Sequence, residues 1–153
     1  MSEQRHVTIV MIEDDEGHAR LIERNIRRAG ISNEIRHFLD GASALHFLEN
    51  DNGGPAINGP ALVLLDLNLP DMSGTDILAR VKSNDRLKRT PVVVLTTTDD
   101  KVEIQRCYDL GANVYITKPV NYESFADAIR QLGLFLSVIQ VPEIEGAGGE
   151  AKG

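Results

Sequence analysis

A chain of 153 residues, 42% of them apolar, can bury the core of one ordinary domain but hardly of two. Its 16 Lys and Arg against 23 Asp and Glu give a formal charge of −7, which repels nucleic-acid phosphates and excludes direct DNA or RNA binding. The single Cys107 cannot close an internal disulfide and falls in a helical pattern, where a small reduced thiol packs as an apolar group.

The chain opens MSEQRHVTIVMIEDD, with no signal-peptide arrangement. Its apolar run meets acids after about six residues, too few to cross a bilayer. A cytoplasmic protein without a membrane partner is expected. Val7 to Ile12 reads as a first strand, followed by helical spacing at Ala19, Ile22, Ile26 and Ala29. A weaker stretch, Glu34 to Phe38, suits an edge strand, and Asn50 to Gly59 (NDNGGPAING) combines Gly, Asn and Pro as a long surface loop does. Leu62 to Leu65, Val92 to Leu95 and Val114 to Ile116 are short Val, Ile and Leu runs without strict alternation, as parallel strands covered on both faces require. Helical spacing returns at Ile77, Leu78 and Val81, and again at Phe125, Ile129, Leu132 and Leu136. The last residues, Glu143 to Gly153 (EIEGAGGEAKG), have little to bury and are expected to be disordered. One domain over residues 6–137 follows, with an extension over 138–153 that begins apolar.

Five β-α repeats imply right-handed crossovers and a doubly wound α/β sheet. In such a sheet ligands sit outside the carboxyl ends of the strands, at the point where the strand order reverses. Glu13, Asp14 and Asp15 follow the first strand, and the third ends at Asp66. Crowded carboxylates raise one another's pKa, and a divalent cation removes that cost. Mg2+ fits as a hard cation with oxygen ligands that often completes its shell with phosphate oxygens. His6, His18, His37 and His46 show no ligand spacing, which disfavours zinc. Thr96 after the fourth strand and Lys118 after the fifth add a hydroxyl and an ammonium to the same sheet edge. Both groups suit phosphoryl oxygens, and an ionised Asp attacks phosphorus without a general base. Each residue also has a plainer role open to it: Thr96 could cap a helix, Tyr115 could be packing, and Ser73 or Asp71 could cap the helix that follows them.

The stretches IVMIEDD, LVLLDLNLPDMSG, VVVLTTTDD and NVYITKPV resemble the signature regions of the bacterial two-component response regulator receiver family, over roughly residues 6 to 137. The resemblance implies a flavodoxin-like five-stranded sheet of order 2-1-3-4-5. It makes Asp66 the phosphoacceptor, Asp14 a direct ligand of Mg2+, Glu13 a ligand through water, and Asn68 a ligand through its backbone carbonyl. Asp15 stays outside that shell. Thr96 becomes the switch hydroxyl, Lys118 the phosphate-binding lysine and Tyr115 the switch aromatic, and Pro119 would follow a cis peptide. The implied protein is a switch with self-phosphorylation and autodephosphorylation chemistry, not a turnover enzyme. Its partner is a histidine kinase, and similarity to the small single-domain regulators of phytochrome-type kinases narrows the partner further. With no output domain expected after the last helix, the message passes through protein contacts, through a phosphorelay or by competition for kinase phosphate, and the sequence leaves these three open. A homodimer is expected through the face of the fourth helix, fifth strand and fifth helix, extended by Leu134, Phe135, Leu136, Val138, Ile139 and Val141. One rival is an aspartate-nucleophile phosphatase of the haloacid dehalogenase type, but it needs a second acid where Asn68 stands. The other is a receiver-shaped binding module that takes no phosphate.

Overall fold

Apolar runs with no polar alternation become strands buried on both faces, and the computed structural model, which describes residues 7–28, 30–49, 61–97, 99–118, 123 and 127, places them side by side. In chain order the elements are β1 (Thr8–Ile12), α1 (Glu16–Arg28), β2 (Ile35–Phe38), α2 (Gly41–Glu49), β3 (Ala61–Asp66), α3 (Gly74–Ser83), β4 (Val92–Thr96), α4 (Lys101–Asp109) and β5 (Val114–Thr117). The sheet is parallel with order β2-β1-β3-β4-β5, the doubly wound arrangement expected. Of the expected fifth helix, Glu123 and Asp127 are helical, and the rest lies outside the described residues. So do Ala29, the loop 50–59, Pro119 and the extension 138–153.

Successive strand residues point to opposite faces, and the core divides accordingly. Val10, Ile12, Val63, Leu65 and Val94 face one layer, with Leu45 and Leu48 of α2, Ile77, Leu78 and Val81 of α3, and Cys107 of α4. Ile9, Met11, Leu62, Leu64, Val93 and Leu95 face the other, with Ala19, Ile22 and Ile26 of α1. Every residue of β3 and β4 is buried. Truncating one such Leu to Ala costs about 2–5 kcal/mol, so the central strands form a rigid platform for whatever stands at their ends.

The strands run further than their apolar residues. Ala61 pairs with Thr8, Asp66 with Leu95, and Thr96 with Thr117. Backbone pairing does not require an apolar side chain, so Asp66 and Thr96 are the last rungs of their strands and not the first residues of loops. Of the two residues that could cap the third helix, Ser73 does so, its Oγ accepting from the Thr75 N–H, and Asp100 caps α4, accepting from Val102. The N-cap of α4 is thus Asp100 and not Thr96. Asp71 turns away from α3 and accepts from the N–H groups of Gly41 and Ala42 at the start of α2. Among the described residues no helix is long and apolar enough to cross a membrane.

Candidate functional site

Because β1 pairs with β3 as far as Ile12 and Leu65, Glu13 emerges level with Asp66. Oxygens from Glu13, Asp14 and Asp66 all lie within 4.8 Å of one another. On the other side, the Lys118 N–H donates to the Thr96 carbonyl at 2.7 Å, continuing the β4–β5 ladder and placing the lysine at the same edge. Its Nζ donates to Glu13 Oε1 at 2.7 Å and to Asp66 Oδ2 at 3.2 Å. Thus one ammonium bridges carboxylates from two strands.

Glu13 and Asp66 are buried, while Asp14 stands exposed. Burial raises the Glu13 carboxyl above the usual carboxylate range, although the Lys118 hydrogen bond opposes it. Burial alone would depress Lys118, but its hydrogen bond to Glu13 and the charge of Asp66 outweigh that and hold the ammonium above its ordinary pKa. Backbone groups fix the rest. The Glu13 N–H donates to Phe38 O at 3.0 Å, and its own carbonyl meets His37 Nε2 at 2.8 Å. Asp66 Oδ1 accepts from the Asn68 N–H at 3.1 Å, which ties the carboxylate to the start of the β3–α3 loop. Asp15 belongs to α1 instead, its Oδ1 accepting from the His18 N–H.

Thr96 is buried at the end of β4, and Tyr115 is half-buried on β5. Burial pushes the Tyr115 phenol up to about 12, partly offset by its hydrogen bond with the Thr96 side chain. The two residues expected to act together are therefore already joined. His37, Asp71 and the Glu13–Lys118 pair were not legible beforehand, since each rests on contacts between segments distant in sequence.

Three carboxylates facing one ammonium carry a formal excess of two negative charges, which a divalent cation would neutralise. The donor set is all oxygen and Asp14 is open to solvent, so these residues suit a hard dication. An open cleft of about 540 Å³ adjoins them, lined by Asp14, Asn68, Pro70 and Met72 among others.

Comparison with known proteins agrees with this arrangement. Rcp1, a response regulator of Synechocystis sp., is 34% identical over 135 residues, covering 88% of this chain and 92% of that protein. A Mn2+-bound structure of Rcp1 matches at 35% identity and TM-score 0.68, covering 84% of this chain and 93% of that one. The crystal structure of a response regulator receiver domain from Rhodospirillum rubrum is 71% identical, with TM-score 0.73 and coverage of 86% and 94%. That of the phosphorylated cyanobacterial phytochrome response regulator RcpA is 35% identical, with TM-score 0.71 and the same coverage. The model of the family described as response regulator receiver domain matches residues 9–130, and with the acidic crevice, the strand-end lysine and the 2-1-3-4-5 sheet in place, the chain belongs to the response regulator receiver family.

Proposed function

We propose that this chain is a phosphoryl switch in which Asp66 accepts the phosphoryl group of a phosphohistidine on a histidine kinase. The observation that carries it is the position of Lys118 Nζ, 3.2 Å from Asp66 Oδ2, where it serves the carboxylate before transfer and phosphoryl oxygens after it. A carboxylate oxygen of Asp66 forms the new P–O bond as the P–N bond breaks, and the departing imidazole keeps the electron pair. Asp14, Asp66 and the backbone carbonyl of Asn68 would hold Mg2+, with Glu13 acting through water. When bound, Mg2+ offsets charge on the phosphoryl oxygens. Lys118 neutralises another oxygen, and Thr96 supplies a hydroxyl donor to a third.

Thr96 has a single proton to give. Turning its hydroxyl to the phosphoryl group breaks or reverses its hydrogen bond with Tyr115, so the state of Asp66 reaches β5 through that pair. The role is that of a switch rather than a turnover enzyme, and we place it in the cytoplasm. RcpA is by its description a phytochrome response regulator, which supports a phytochrome-type kinase as the donor. We further propose a homodimer through α4, β5 and the helix that follows. On α4, Val102 is 77% and Tyr108 44% exposed, so the face carries apolar groups that a partner would cover.

Acetyl phosphate with Mg2+ tests the central step. Intact-mass analysis is expected to show one added phosphoryl group on the wild type and none on Asp66→Asn. Equal labelling of the two would remove Asp66 from the role.

A further inference from the structure

We infer that Asp71 is a positioning residue for the cation site: it clamps the β3–α3 loop to the start of α2 and so fixes the Asn68 carbonyl beside Asp14 and Asp66. The inference rests on the metal role proposed above.

The loop is closed on itself at its base. The Gly74 N–H donates to the Leu67 carbonyl at 2.9 Å, and Asn68 and Ser73 form a β-bridge. Gly74 is pressed so close that a Cβ there would lie 2.6 Å from both Asp66 O and Leu67 Cα. These contacts hold the two arms of the loop, Asn68 included, to each other and to the end of β3. They do not set how the loop as a whole stands relative to the neighbouring elements that follow β1 and β2. Among the described residues, the hydrogen bonds that tie this loop to an element distant in sequence are the two that Asp71 accepts, 2.8 Å from the Gly41 N–H and 2.9 Å from Ala42.

A second contact fastens the same joint. Met72 packs so tightly on Gly41 that a Cβ there would meet its Cγ and Sδ at 2.5 Å, and Ile77 Cδ1 at 2.9 Å. The atoms in contact belong to the Met72 and Ile77 side chains, so the joint is close-packed there. Meanwhile α2 already has a local cap, since Asp40 Oδ1 accepts from the Ser43 N–H at 2.8 Å. Helix ends are commonly satisfied by one neighbouring side chain. A second carboxylate arriving from 30 residues away does more for the loop it comes from than for the helix it reaches.

Titration with Mn2+ alone, followed by the EPR signal of the free ion, tests the clamp without reference to activity, with melting curves confirming that each variant is folded. Asp71→Ala is expected to weaken binding by about tenfold, the lower end of what losing a ligand's supporting partner costs. Asp71→Asn retains one acceptor oxygen and should fall between. Asp40→Ala strips the other carboxylate from the same helix end and should bind as the wild type does. Equal losses in Asp40→Ala and Asp71→Ala would reduce Asp71 to a charge on a helix end and overturn the inference. Wild-type affinity in Asp71→Ala would overturn it as well. Failure of the wild type itself to bind Mn2+ would instead bring down the metal role, and the clamp with it.

Discussion

Lys118 and Glu13, 105 residues apart in sequence, form a 2.7 Å ion pair with 7% and 1% of their side chains exposed. It joins the ends of β1 and β5 across the crevice, with Asp66 as the third member. Removing one partner of a buried pair leaves the other charge uncompensated. Lys118→Ala is expected to destabilise the metal-free protein by about 3–5 kcal/mol. Urea unfolding with and without Mg2+ checks this: the cation should restore more stability to the variant than it adds to the wild type. Since Lys118 is held above its ordinary value, its contribution is complete below the unfolded-state pKa and is lost only as pH rises through the folded-state value, in the alkaline range.

Asp14 should behave in the opposite sense. It is exposed and adds a third negative charge to the crevice, so Asp14→Ala relieves repulsion in the metal-free state while removing the carboxylate proposed as a direct ligand. The expected result is a melting temperature at or above that of the wild type without metal, together with a clear loss of Mg2+ affinity by calorimetric titration.

The phenol of Tyr115, raised to about 12 chiefly by burial, offers a spectroscopic handle. Ultraviolet titration of the three tyrosines should contain a late phase that disappears in Tyr115→Phe. A folded-state pKa above the unfolded one favours the native state while the phenol is neutral. That contribution is present below about pH 10 and lost as pH rises from there towards 12.

Sedimentation of the full chain and of one ending at Ser137 checks the dimer. Association at micromolar concentration is expected for the full chain and is expected to weaken on truncation. Equal association in both would confine the interface to the domain, and monomers in both would exclude the dimer.

The sheet was legible because its central strands are buried on both faces: Leu62 to Leu65 and Val92 to Leu95 carry that burial as unbroken apolar runs. The polar last rung of β4, Thr96, was placed after its strand because pairing there depends on a neighbour's backbone, whereas β3 does end at Asp66 as expected. The carboxylate trio was legible through topology, since order 2-1-3-4-5 sets β1 against β3. Asp71 was not. Capping signals act within a few residues, and nothing near Asp71 announces a helix start 30 residues earlier. Nor did composition reveal that Glu13 would lie wholly buried against Lys118, because the ammonium arrives from the far edge of the sheet.

Cys107, the only thiol in the chain, is fully buried on α4, and that burial raises its pKa. An aqueous thiol reagent reaches it only when α4 lifts from the sheet or the molecule unfolds. The unaltered protein thus carries a stopwatch for that helix, and its labelling rate with and without acetyl phosphate counts how often the switch opens its own side.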